Sequence, residues 1–90
     1  MSYDNENIFA KILRGEIPCD KVYENDQALA FKDINPQAPT HMLVIPRVHL
    51  EKLADATDDQ SALLGHCLQT ARKVAEQAGI AESGYRTVIN

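Results

Sequence analysis

Ninety residues with 44% hydrophobic and 24% charged side chains have the length and make-up of one small globular domain, not of a disordered or fibrous chain. A formal net charge of −4 excludes the basic footprint that a nucleic-acid polymer requires, but not a single mononucleotide, which a few placed donors can hold. No apolar run approaches a membrane span and the first residues show no basic-then-apolar leader pattern, so no membrane partner is expected, the cytoplasm is the expected compartment, and Cys19 and Cys67 are expected as free thiols.

Asn7 to Leu13 predicts a short helix, with Ile8, Phe9, Ile12 and Leu13 as its apolar stripe, Gly15 at the position after the cap and Pro18 as a stop. Lys21 to Glu24 and Ala28 to Asp33 flank the turn-forming pair Asn25-Asp26 and predict an antiparallel hairpin. Pro36 and Pro39 make the following segment a loop, because each lacks a backbone donor and pushes its predecessor out of the helical region. From His41 to Ile45 the pattern is a strand in which His41, Leu43 and Ile45 share one face, ended by Pro46.

Thr57 with Gln60 three positions later has the form of a capping box, and Asp58 and Asp59 suit the positive end of a helix dipole. The long helix that starts there carries Leu64, Cys67, Leu68, Ala71, Val74, Ala75 and Ala78 at three- and four-residue steps, and Gly79 closes it. Tyr85 to Asn90, rich in β-formers, predicts a last strand. The elements sum to an α+β fold.

The three histidines are His41, His49 and His66, and none stands at metal-ligand spacing with another ligand, so no metal site is expected. His49 and His66 are expected at the surface or its boundary. His41 opens a strand directly after a proline loop, where a satisfied core histidine and an acid, base or phosphate partner are both open readings. Asp33 reads either as a turn residue bonded to its own backbone or as a carboxylate that accepts two ribose hydroxyls. Phe9, Ile12, Phe31, Ile34 and Leu43 fit a core, and equally the apolar slot a planar base needs. Neither a glycine-rich phosphate loop nor a Gly-x-Ser-x-Gly elbow is present.

In order along the chain, Asn7-Ile8-Phe9-x-Lys11-Ile12-x-x-Gly15-Glu16-Ile17-Pro18 and Ala30-Phe31-x-Asp33-Ile34-x-Pro36-Gln37-Ala38-Pro39-Thr40-His41-x-Leu43-Val44-Ile45-Pro46 closely resemble the Hint branch of the histidine-triad (HIT) family. The resemblance continues through the long helix to Tyr85-Arg86-x-Val88-x-Asn90. It implies an antiparallel α+β sheet with one short and one long helix, a homodimer, and a hydrolase for purine mononucleotide derivatives such as phosphoramidates of AMP or GMP. The family's chemistry runs through a nucleotidyl-histidine intermediate and needs no cofactor. By the same likeness Phe9, Ile12, Ile17, Phe31, Ile34 and Leu43 are base-pocket walls, Asp33 is the ribose ligand, Asn90 is a polar contact near ribose and phosphate, and His41 is the histidine outside the triad that supports catalysis. Lys32 stands where relatives often have histidine.

In that family a glycine-rich turn and a further strand follow the position of Asn90, and the strand carries the nucleophile. No His-x-His-x-His occurs in these 90 residues. The expectation is therefore a HIT-like domain over 1–90, incomplete at its C-terminus and inactive alone, with a non-catalytic nucleotide-binding or dimerisation module as the alternative.

Overall fold

The computed structural model describes residues 8–33 and 39–89. Its elements are helix α1 (Ile8–Leu13), strands β1 (Lys21–Glu24), β2 (Ala28–Lys32) and β3 (Met42–Pro46), and helix α2 (Ser61–Ala78). The sheet has the order β1-β2-β3 and both pairings are antiparallel. This is the expected α+β arrangement of one short helix, one long helix and an antiparallel sheet.

Strand β2 is central, and Ala28, Leu29, Ala30 and Phe31 are all buried. Alternation divides them between two faces. Leu29 and Phe31 join Ile12 of α1 in a core cluster, with Leu13, Ile17, Cys19, Leu43 and Ile45 packed around it. Ala28 and Ala30, both 0% exposed, turn the other way. There α2 packs against β2 and β3. Large residues thus fill the α1 face, while alanines on the opposite face let a helix lie close to the strand.

The hairpin turn depends on Asn25. Its Oδ1 accepts from the backbone N–H groups of Gln27 (2.8 Å) and Ala28 (3.0 Å), the bond pattern that makes Asn a turn residue. The same oxygen lies 3.2 Å from Nε2 of His66 on α2. Arg47, just past β3, donates from Nε to the Asn25 carbonyl (2.7 Å) and from its guanidinium to Glu24 (2.9 Å). One turn therefore ties the hairpin to the end of β3 and to the long helix, which accounts for the half-buried position of His66. Tyr23 shares this corner, where a hydrogen bond with Asn25 and the nearby Lys73 ammonium hold its phenol below the usual tyrosine range.

Both helices end in the same way. Gly15 (φ 78°) and Gly79 (φ 77°) adopt the left-handed conformation. The bonds Gly15 N–H to Ile12 and Glu16 N–H to Lys11, and likewise Gly79 to Glu76 and Ile80 to Ala75, form Schellman motifs. At the start of α2, Thr57 N–H donates to Gln60 Oε1 at 3.0 Å within a capping box, but the first turn, Asp58–Gln60, is 3₁₀ and the α-helix begins at Ser61.

Three expectations need correction. The α1 stripe is displaced: Ala10 and Ile12 are buried, Ile12 against Leu29 and Phe31 of β2, whereas Ile8 and Phe9 in the first turn are exposed, because the helix turns the Ile12 side to the sheet. Leu68, assigned to the core stripe of α2, is 52% exposed, and Thr70 takes the buried position, its hydroxyl bonded to the His66 carbonyl at 2.9 Å. Finally, Tyr85 to Asn90 is not a strand over its described part. Residues 84–89 pair with no described strand, and Val88 and Ile89 are 75% and 57% exposed. β-propensity reflects packing on a pleated surface, and a segment without a neighbouring strand cannot express it.

Candidate functional site

The sheet register brings the site together. Leu29 faces Ile45 and Phe31 faces Leu43 across the β2–β3 ladder. Continued by two residues, the same register sets Asp33 opposite His41, and the Asp33 N–H donates to the His41 carbonyl at 3.1 Å. These pairs lie on one face, because positions two apart along a strand point the same way. An apolar ladder therefore runs into an acid–base pair. Nε2 of His41 is 3.5 Å from Oδ2 of Asp33, within ion-pair reach when the imidazole is protonated, and the two side chains are 30% and 20% exposed.

Ile12 roofs the apolar part from α1, with Ile17 beside it. Of the residues singled out from the sequence, Ile12, Ile17, Phe31 and Leu43 thus form one cluster, and Asp33 and His41 close its polar end. Phe9 stands apart, 36% exposed and outside the cluster. Ile34 and Asn90 lie outside the described residues. A cleft of about 580 Å³ lies beside Asp33 and His41 on the α2 side of the sheet, with Lys32, Thr40, Met42, Val74 and Gln77 on its walls; Ile12, Ile17, Phe31 and Leu43, on the α1 side, do not line it. Lys32 has the opposite parity to Asp33, and its Nζ lies 3.7 Å from Oδ2 of Asp20.

His66 and Asn25 show what a pattern reading misses. Asn25 was legible as a turn residue, but its bond to a helix 41 positions away carries no local signal. Among the described residues, no group of three or more His, Cys, Asp or Glu side chains is placed to hold a metal, and no helix is long and apolar enough to cross a membrane. Cys19 and Cys67 are both free thiols, and burial raises the Cys67 thiol above its ordinary value.

An antiparallel sheet sandwiched by a short and a long helix, with an apolar ladder ending in a carboxylate and an imidazole, defines an α+β domain with a candidate site at the end of its sheet. Comparison with known proteins gives its family. The HIT domain profile matches residues 14–90. A HIT-like protein of Synechococcus elongatus is 55% identical over 85 residues, covering 94% of this chain and 74% of the relative. The purine nucleoside phosphoramidase of Escherichia coli K12 is 49% identical over 85 residues, covering 94% of this chain and 71% of its own length. Among solved structures, a HIT family hydrolase from Clostridium thermocellum superposes with a TM-score of 0.91 at 39% identity, covering 97% of this chain and 76% of that one. The chain belongs to the HIT family.

Proposed function

We infer that this chain is the purine-nucleotide-binding portion of a hydrolase like the phosphoramidase it resembles, acting at the α-phosphorus of a nucleoside phosphoramidate. The observation that carries the reading is the continuous face from Leu29–Ile45 through Phe31–Leu43 to Asp33–His41. In this reading Ile12, Phe31 and Leu43 supply the apolar surface on which a planar purine packs, since stacking area and apolar walls supply most of the affinity for such ligands. Asp33, at the polar end, is placed to accept ribose hydroxyls through a carboxylate. His41 then stands near the phosphate end of the ligand. Phe9, Ile34 and Asn90 complete the proposed set through the family likeness alone.

The reaction proceeds by covalent catalysis in this reading. A histidine attacks phosphorus, the amine leaves, and water cleaves the nucleotidyl-histidine, so that one displacement becomes two. None of His41, His49 and His66 lies in a His-x-His-x-His strand. In this reading the 90 residues bind nucleotide without turning over substrate, and the active form of such a hydrolase is a cytoplasmic homodimer. Calorimetric titration of AMP and GMP, run beside a phosphoramidate turnover assay, tests this. Binding without turnover is expected, with affinity reduced at least about tenfold in Asp33→Ala. Unchanged affinity in both Asp33→Ala and Phe31→Ala would remove the pocket assignment, and turnover by the 90 residues would remove the assignment of the nucleophile.

A further inference from the structure

We propose that His66, Thr70 and Lys73 are a register device: they fix where the long helix docks along the sheet, and so where its last turns stand beside Asp33 and His41. The apolar part of this contact does not specify a position by itself. Strand β2 offers Ala28 and Ala30 on this face, and α2 answers with Val74 and Ala75. Such short side chains let two backbones approach but raise no deep ridge that stops one from sliding past the other. Directional polar contacts supply the register that a smooth surface leaves open.

Those contacts lie at the hairpin end. His66, Thr70 and Lys73 follow one another at steps of four and three, so they share one stripe of α2. Thr70 is 1% exposed, and its hydroxyl donates to the His66 carbonyl, so a polar residue sits in the contact with its donor satisfied. To either side of it the stripe reaches the hairpin. Nε2 of His66 is 3.2 Å from Oδ1 of Asn25, and Nζ of Lys73 is 5.8 Å from the centre of the Tyr23 ring, within cation–π range. A side-chain hydrogen bond joins Asn25 to Tyr23, so the two contacts close on each other through the hairpin. Oδ1 of Asn25 already receives the N–H groups of Gln27 and Ala28. It therefore meets the imidazole as an acceptor, and Nε2 of His66 carries the proton. A slip of one residue turns the stripe by about 100° and breaks both contacts together. At the far end of α2, Val74, Gln77 and Ala78 wall the cleft beside Asp33 and His41, and their placement follows from the clamp.

Nitrogen NMR of the 90-residue chain at pH 8 reads the ring directly. A protonated Nε2 with a bare Nδ1 is expected, and a proton on Nδ1 alone overturns the proposal. Urea unfolding of His66→Leu, Asn25→Ala and the double variant forms a cycle in which the turn bonds lost with Asn25 cancel. A coupling of about fivefold in the unfolding constant is expected, and no coupling overturns the proposal. The amides of Val74 to Ala78 report register itself. In His66→Leu, shown by circular dichroism to be folded, they should shift or broaden, whereas His66→Gln, whose amide keeps a donor near the place of Nε2, should restore them. Lys73→Met, at an exposed position, gives the same reading if His66→Leu does not fold. Unchanged amides from Val74 to Ala78 in a folded His66→Leu or Lys73→Met chain overturn the proposal and leave the contacts purely local.

Discussion

Asp33 and His41 are separated by a proline-containing segment in sequence and joined by strand register in space. Each was legible as a candidate, because an acid after an apolar strand and a histidine opening another are recognisable patterns. Their pairing was not legible, since it depends on how the two strands align. Cys67 shows the same division between type and environment: burial on α2 favours its protonated form, and only the thiolate is a good nucleophile. Iodoacetamide at pH 8 is therefore expected to modify Cys67 several-fold more slowly in the folded chain than in urea, and equal rates would contradict the assigned burial. Gly79 illustrates a backbone requirement in place of a side-chain one. A Cβ added there meets no atom within 4 Å, so Gly79→Ala acts only through its φ of +77°. Denaturant unfolding should show a loss of about 1 kcal/mol.

At the level of elements, β2 supplies both the core and the approach to the site. Leu29 is one of the largest fully buried side chains, and Leu29→Ala should cost about 2–5 kcal/mol, the range for cavities left by buried leucines. In a domain of this size that approaches the whole stability. A urea midpoint close to wild type would show that the α1 face is not the main core. The hairpin, the strand after the proline loop and the long helix were all legible, because alternation, turn residues and capping signals are local. The exposure of Phe9 and Leu68 was not. Periodicity says which residues share a stripe, whereas the direction in which a helix faces the sheet decides which edge of the stripe is covered: Thr70, not Leu68, is buried on α2. The last segment was misread for a related reason, since the β-formers Val88 and Ile89 need a neighbouring strand that no described residue provides.

Across the whole molecule the two edges of the sheet differ in kind. The β1 edge carries a register irregularity between Lys21 and Tyr23, and the charged pair Lys21–Glu24 at 3.5 Å. Bulges and charges are devices that discourage pairing with another chain. Strand β3, Met42-Leu43-Val44-Ile45-Pro46, has no charged side chain. Its register fixes which backbone groups face β2. With Asp33 bonded to the His41 carbonyl and Arg47 to the Gln27 carbonyl, odd-numbered residues bond inward, and Met42 and Val44 direct their amides to the outer edge. Proline should therefore be tolerated better at position 44 than at 43. Leu43→Pro removes a ladder bond and should unfold the domain, whereas Val44→Pro should lose clearly less in thermal unfolding. Equal losses would place the ladder out of register.

The outer side of β3 also works as a ruler. Met42 and Val44 each present an N–H to it, but Pro46 has none to present. A strand laid along this side could satisfy its acceptors at two successive rungs and would find none at the third. The alignment most favoured for any such strand is thus the one that lets it finish, or turn away, beside Pro46. A residue that ends one strand would in that way choose the frame in which its neighbour is read.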